Sequence, residues 1–337
     1  MATMKEVAQK ANVSIGTVSF VVNGTHNVSP ATRARVEAAM AELDYQPNVL
    51  AQGLASRKSK ILALAIPIGS KGIGATQMEY VVGASEAARE LGYSLVLWPL
   101  VDGIDGELES LVSKGLVDGV LLMEVRDQDP RVEVLVASKV PYVAIGRSGQ
   151  RGEKYVDIDF EATILEGVQH LVALGHKNIA FVNHSQASLE GRYGPTWRAS
   201  EIVQNLSLEN CTVHEYYCDE TVEAGREVVA RIVDEAPEIT AFLIMNEEAS
   251  FGISHEFLDR GFSIPSDYSL LMLVSSRGVA HRHRPPMTSV PAPGRELGSY
   301  AANMLISELN DEHSAMESHL SARQLVMGVS TADAPQR

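Results

Sequence analysis

Side chains capable of covalent or metal chemistry are present in this chain, but none stands in an arrangement that performs it. Gly72-Ile73-Gly74-Ala75-Thr76-Gln77 follows an apolar run and supplies two-thirds of a dinucleotide fingerprint, yet Gln77 replaces the third glycine. His281 and His283 have no cysteine or carboxylate at ligand spacing, and the spacing of Cys211 and Cys218 matches no zinc pattern. No GxSxG, HExxH or phosphate-loop GK[ST] signature occurs. His170 and His176 flank a helix end, where an imidazolium suits the carbonyl dipole. The expectation is therefore no enzyme, no cofactor and no metal. A different chemistry is available to Ser14, Ile15, Gly16, Thr17, Ser19, Phe20 and Asn23. They form a row of short hydrogen-bonding and apolar groups without a long charged side chain, suited to base edges and phosphates.

Two short helices must position that row. Over Met4–Asn23, Val7 and Ala8, then Val18 with Val21 or Val22, place one apolar face on each helix. Asn12 tolerates the left-handed backbone of a tight turn, and Ser14 can cap the second helix. The predicted unit is a helix-turn-helix whose second helix enters the major groove. Ser29-Pro30 starts a third helix with a cap and a proline at its first position. Val36, Ala39, Met40 and Leu43 share its apolar face, and Pro47 ends the unit. Asn48 can cap one more short helix over Val49–Ala55, followed by the basic stretch Ser56-Arg57-Lys58-Ser59-Lys60.

The runs TVSFVVNG (Thr17–Gly24), VSPATRARVEAAMAELDYQPN (Val28–Asn48) and LAQGLA (Leu50–Ala55) resemble the lactose-repressor (LacI/GalR) family of bacterial transcription regulators. The likeness is dense over about 60 residues and looser through the remainder. It implies a DNA-binding regulator, by default a dimeric repressor on a near-palindromic operator, controlled by a small-molecule effector.

Charge is divided to match. The chain carries a net charge of −15, but residues 1–60 hold seven Lys/Arg against four Asp/Glu, while the remaining 277 hold 21 against 39. Positive charge thus sits on the head, where phosphates would lie, and the acidic body favours solubility. No basic leader followed by an apolar core and no apolar run near 18 residues occurs, so a cytoplasmic location without membrane contact is expected. Reduced thiols fit that compartment.

From Ile61 onward, apolar runs such as ILALAIP (Ile61–Pro67) alternate with helical stretches that stop at Gly92, Gly175 and Gly261. Such alternation means parallel sheets wrapped by helices, and its length suggests two lobes with a cleft at their strand ends. The expected division is a helix-turn-helix head over 1–46, a hinge helix and linker over 47–60, and an α/β body over 61–337 of two parallel-sheet lobes. The resemblance implies a body like the type I periplasmic binding proteins. Lobe one would take about 61–159 and 292–320, lobe two about 160–291 and 321–331, with crossings near Phe160, Pro291 and Leu320.

It also carries site residues. Ile15, Gly16 and Phe20 match operator-reading positions; Thr17, Ser19, Asn23, Asn27, Ser29 and Thr32 suit phosphates. Ser29 is equally a helix cap, and Tyr45 either packs in the core or meets a phosphate. Leu54, supported by Ala51, matches the leucine that wedges into the minor groove at the operator centre, or else packs against the body. A seven-residue hinge helix containing Gly53 is unstable alone and should form only when two hinges pair on DNA. Effector positions fall at Ile68, Ser70, Arg147, Asp159, Arg192, Trp197, Asn246, Glu247 and Ser275. Glu247 stands where aspartate is usual and Val274-Ser275 where acidic residues are usual, and Arg192 is one residue out of register with Trp197. A sugar or sugar derivative is the family default. The cationic run Arg277–Arg284 suits an anionic effector or is an exposed basic loop. No heptad run follows Leu325-Val326 to join two dimers. Phe20 occupies a position where arginine is common, and an aromatic touches a thymine methyl but lacks the bidentate guanine contact. Selection of binding sites from random duplexes should therefore return T·A beneath Phe20, and an invariant guanine there would contradict this reading.

Overall fold

A computed structural model describes residues 2–23, 28–45, 59–68, 72–101, 106–310 and 316–336. Asn27, Asn48, Ala51, Leu54, Ser70 and the expected hinge helix lie outside the described residues, as does the side chain of Asn23. The chain divides into two units, Met1–Lys60 with Leu116–Asp118, and Ile61–Gly115 with Gly119–Arg337.

In the head, α1 (Met4–Ala11) opens on a capping box. The Thr3 backbone N–H donates to Glu6 at 2.7 Å, and the Thr3 hydroxyl accepts from the Glu6 N–H at 3.3 Å. Asn12 closes α1 at φ 52°, and the Ser14 hydroxyl accepts from the Thr17 N–H at 3.1 Å to start α2 (Ile15–Asn23). Ser29 caps α3 (Pro30–Glu42) with proline in its first turn. Val7, Ala8, Ala11, Val18, Val21, Val36 and Ala39 make the buried core, with Met40, Leu43 and Tyr45 packed against it. Within the same unit the Asp118 carboxylate accepts from the Ser59 N–H at 2.6 Å and the Lys60 N–H at 2.9 Å.

The body contains two parallel sheets. Lobe one runs β1 (Ile61–Pro67), α4 (Ala75–Glu90), β2 (Ser94–Leu100), α5 (Glu107–Ser113), β3 (Gly119–Leu122), α6 (Pro130–Ser138), β4 (Tyr142–Ile145) and β5 (Tyr155–Ile158). Lobe two follows with α7 (Phe160–Ala173), β6 (Asn178–Asn183), α8 (Gln186–Glu190), α9 (Gly194–Asn205), β7 (Thr212–Tyr217) and α10 (Val222–Glu235). It ends with β8 (Ala241–Ile244), α11 (Glu247–Asp259), β9 (Ser269–Leu273), α12 (Arg277–Arg282) and β10 (Thr288–Val290). The chain then returns to lobe one for α13 (Gly294–Leu309) and β11 (His319–Ser321). Strand order is β11-β5-β4-β3-β1-β2 in one sheet and β10-β9-β8-β6-β7 in the other, every pairing parallel. A last passage after Ser321 brings Val326 into a bridge with Ser289 of lobe two.

Central strands are apolar on both faces because helices cover both; Leu62, Leu64, Leu121, Phe181 and Leu243 are fully buried. The helix stops at Gly92, Gly175 and Gly261 have φ of +74°, +86° and +80°. His176 is sealed in lobe two, its ring hydrogen-bonded to Thr240 at 2.8 Å and Ser269 at 3.0 Å. Burial drives the His176 and His170 pKa values down, so the imidazolium expected at this helix end gives way to neutral rings that bind the C-terminal segment.

The crossing of α4 and α13 is a backbone contact: a Cβ on Gly298 would fall 2.1 Å from the Tyr80 carbonyl oxygen, and one on Gly83 2.0 Å from that of Arg295. Neither carbonyl can retreat without moving a helix. Gly298→Ala should cost about 1–3 kcal/mol or more by overpacking and lower the thermal midpoint by several degrees. Gly278→Ala, whose added carbon meets nothing nearer than 3.8 Å, should leave the midpoint nearly unchanged.

Candidate functional site

On the head, α2 turns Val18 and Val21 inward and leaves Ser14, Ile15, Gly16 and Phe20 exposed. Ile15 is 50% and Phe20 38% accessible, large apolar surfaces for a nine-residue helix to leave outside its own core. Thr17 and Ser19 are half-buried at the edge of this face. The Ser14 and Thr17 hydroxyls lie 2.9 Å apart, as do those of Ser29 and Thr32. Ser29 accepts from the Thr32 N–H at 3.3 Å, so its capping role is realised; its exposure leaves the hydroxyl accessible as well. Tyr45 is half-buried against the head core. The face offers hydrogen-bonding hydroxyls flanking two apolar groups, a pattern fit for base edges and phosphates.

In the body, strand ends of the two lobes meet at three places. The first is made by Thr76 in the first turn of α4. Its hydroxyl donates to the Glu247 carboxylate of lobe two and accepts from the Ser276 N–H at 2.7 Å. The Ser275 hydroxyl donates to the same Glu247 oxygen at 2.8 Å. Val274, just before it, has φ 57°, a left-handed backbone that a β-branched residue holds only under constraint. Glu79 lies near enough that burial, with the Glu247 charge adding to it, raises its pKa.

The second meeting joins the loop after β3 to the segment before α9. Arg126 bridges antiparallel to Tyr193, and the Asp127 and Gly194 N–H groups donate to Arg192 and Val125 carbonyls at 2.9 and 3.1 Å. The Arg192 guanidinium pairs with the Asp127 carboxylate and lies over the Trp197 ring at 4.7 Å. Arg192 and Trp197 also line an open hollow of about 410 Å³ formed by α8 and α9 of lobe two. Deep burial and the nearby Glu124 carboxylate hold the Tyr193 hydroxyl protonated.

At the third, Arg147 donates to Asp157 at 3.0 Å, while Arg198 of α9 reaches across to the Arg147 carbonyl at 2.9 Å and to Asp157 at 3.2 Å. Burial pushes the Asp157 pKa up against the two guanidiniums that pull it down. The remaining candidates have structural work. Asp159 caps α7 through the Ala162 N–H at 3.0 Å. Asn246 caps α11 and donates to the Cys218 carbonyl at 2.8 Å. Ile68 is half-buried at the end of β1.

Thr76, Glu124, Asp157, Tyr193 and Arg198 were missed from the sequence. Two left a signal: Asp157 is the one carboxylate inside the strand YVDI, and Arg198 sits four residues after Gly194 on a face of α9 that is otherwise buried. The Arg277–Arg284 run lies partly on α12 and is not a uniform cationic patch. His283 is buried between the Ser250 and Ser254 hydroxyls, its pKa depressed by burial to about 4.

Comparison with known proteins agrees with this architecture. Residues 3–48 match the model for bacterial regulatory proteins of the lacI family, and residues 168–331 that for a periplasmic binding protein-like domain. The chain is 32% identical over 316 residues to catabolite control protein A of Priestia megaterium, covering 92% of this chain and 93% of that one. It is 31% identical over 336 residues to the transcriptional regulator CelR of Thermobifida fusca, covering 96% and 97%. Among solved structures, the lac repressor dimer bound to operator and the anti-inducer ONPF superposes with a TM-score of 0.80 at 26% identity, covering 98% of this chain and 99% of that one. A CelR–cellobiose complex gives 0.67 at 28% identity, covering 98% and 100%. With a helix-turn-helix head, two parallel-sheet lobes and these relatives along its whole length, the chain belongs to the LacI family of DNA-binding transcriptional regulators.

Proposed function

We propose that the protein is a homodimeric repressor. Paired heads grip a near-palindromic operator, and a small-molecule effector between the body lobes sets the strength of that grip. The observation that carries this reading is the outward face of α2, where Ile15, Gly16 and Phe20 are exposed beside hydroxyl groups on a head whose other large apolar residues, among those described, pack in or against its core. The net positive charge of residues 1–60 on an otherwise acidic chain adds long-range attraction to phosphates. A lac repressor dimer solved on its operator supports a two-headed clamp, and a CelR–cellobiose complex supports a sugar or sugar derivative as effector. Residues 1–46 act as the DNA-binding domain, 47–60 as hinge and 61–337 as the effector-binding and dimerisation body. Ile15, Gly16 and Phe20 read bases; Ser14, Thr17, Ser19, Asn23, Asn27, Ser29 and Thr32 steady the backbone, with Tyr45, Asn48 and Ala51 in support. Ile68, Ser70, Arg147, Asp159, Arg192, Trp197, Asn246, Glu247 and Ser275 surround the effector. Function in the cytoplasm follows from this reading.

Glu247 is the effector-side residue whose contacts give this control a physical form. Its carboxylate holds Thr76 of the opposite lobe together with Ser275, so a ligand that takes over those hydrogen bonds changes how the lobes are joined. A double-mutant cycle of Glu247→Gln and Thr76→Val on thermal stability should show coupling of about 0.5–3 kcal/mol, as expected of groups in direct contact. Strict additivity would remove the cross-lobe contact from the account.

A gel shift with DNA from the protein's own promoter region tests the main reading. Binding should weaken steeply between 50 and 200 mM salt as counterions are displaced, and Leu54→Ala should lower affinity severalfold or more while leaving the dimer intact in sedimentation. No shift at low ionic strength would overturn the proposal, and an unaltered affinity in Leu54→Ala would remove the minor-groove wedge.

A further inference from the structure

Over residues 15–22, α2 carries no amide, carboxylate, guanidinium or amine: every side chain is aliphatic, aromatic, hydroxyl or absent. A helix face of that kind lacks the paired donors and acceptors that single out guanine or adenine in the major groove. The hydroxyls at its start are engaged with the helix itself. Ser14 and Thr17 lie 2.9 Å apart, and Ser14 accepts from the Thr17 N–H at 3.1 Å. What projects is apolar, the exposed side chains of Ile15 and Phe20. Gly16 stands one turn before Phe20, on the side toward which a helical side chain leans. A Cβ on Gly16 would meet nothing nearer than the Ser14 Oγ at 3.6 Å among the described residues, so the packing of the head does not demand glycine there. Glycine weakens a helix relative to alanine. In return it leaves open space beside the Phe20 ring for a partner to enter.

We propose that α2 reads the C5-methyl groups of pyrimidines, so that 5-methylcytosine counts as thymine at its contacts and cytosine methylation becomes a signal the head detects. This rests on the reading of α2 as the helix that enters the major groove, and it names the chemical group taken there. The apolar group that a base pair presents in that groove is the methyl of thymine. 5-Methylcytosine carries the same methyl at the same ring position and differs at C4, where thymine offers an acceptor and cytosine a donor. Neither Ile15 nor Phe20 has an atom that senses this difference. Uracil and plain cytosine leave the methyl-sized space unfilled, which costs about fourfold in affinity for each contact. The thymine preference beneath Phe20 is then one case of a wider rule that takes in Ile15 and a second base. Asn23, at the end of α2, is left to the phosphate backbone.

The test uses the full chain and the operator it selects from random duplexes. Each thymine of that operator is replaced in turn by deoxyuridine, which deletes the methyl and nothing else, and binding is followed by fluorescence anisotropy at one fixed salt concentration. At the thymines that α2 covers, affinity should fall about fourfold for each methyl removed. A C·G pair at the same positions should bind weakly, and a 5-methylcytosine·G pair should recover most of the loss. Ile15→Ala and Phe20→Ala should each erase the thymine–deoxyuridine difference at one position and keep it at the other, a pattern that general weakening of the head does not give. Circular dichroism establishes that each variant folds; should either unfold, the wild-type comparison of thymine, deoxyuridine and 5-methylcytosine still decides. An operator bound equally with deoxyuridine at every thymine, or 5-methylcytosine bound no better than cytosine, overturns the methyl reading and leaves the DNA-binding head standing. A deoxyuridine effect that survives both substitutions overturns the assignment to α2. Failure to select any duplex overturns both readings.

Discussion

Everything in the body follows from parallel strands that are apolar on both faces. Such a sheet is covered by helices, which moves most of its polar and charged side chains to the strand ends and the loops beyond them. With β1, β3, β4 and β5 ending in one lobe and β6, β8 and β9 in the other, three passages of the chain bring those two polar rims together. Glu247 on Thr76, Arg192 on Asp127 and Arg198 on Asp157 are the result. Each is a contact between a charged or hydroxyl group of one lobe and a complementary group of the other.

The head works under the opposite constraint. A three-helix unit of this size has little apolar surface to bury, and its core is built from valines and alanines, with no aromatic fully inside. It nevertheless leaves Ile15 and Phe20 outside. A domain this small keeps such groups at its surface at the expense of its own core, which fits a role in contact with a partner better than a role in stability. Local devices compensate: the Thr3–Glu6 capping box, the Ser14 turn and the Ser29 cap each satisfy helix-end N–H groups that the core cannot. Charge follows the same division, a basic head on an acidic body, so that attraction to a polyanion is confined to one end of the sequence.

Backbone strain recurs at the rims. Val274, Glu124 and Arg192 all adopt left-handed φ values near +55°; Glu124 directly precedes and Arg192 carries a cross-lobe contact, and Val274 lies two residues before the Ser276 N–H that donates to Thr76. A branched side chain such as Val274 holds that conformation only because the strand before it and the hydrogen bond from its N–H to Val290 fix it. Strain of this kind aims the next residue, here Ser275, at a point the regular strand would not reach.

The head could be read almost entirely from the sequence. Its signals are local: apolar residues three and four apart, an Asn at the turn, Ser before Pro, all within helices whose geometry needs no distant partner. The alternation of strand and helix in the body was legible for the same reason, down to the glycines that end α4 and α7 and the helix α11. The cleft was not. Asp159 and Asn246, read from the sequence as effector groups, also cap helices, because a side chain at the end of a strand meets the first turn of the following helix. The imidazolium expected near His170 and His176 turned neutral because the C-terminal segment, 161 and 156 residues away in sequence, binds and buries them. Thr76, Asp157 and Arg198 gained their importance only when two lobes met, since an ion pair across a cleft depends on distances in space that no spacing along the chain records. The sequence alone indicated that Ser14, Ile15, Gly16 and Phe20 turn outward from the head. Which charges face each other across the body was decided by the tertiary fold, because only packing chooses the partner of a buried charge.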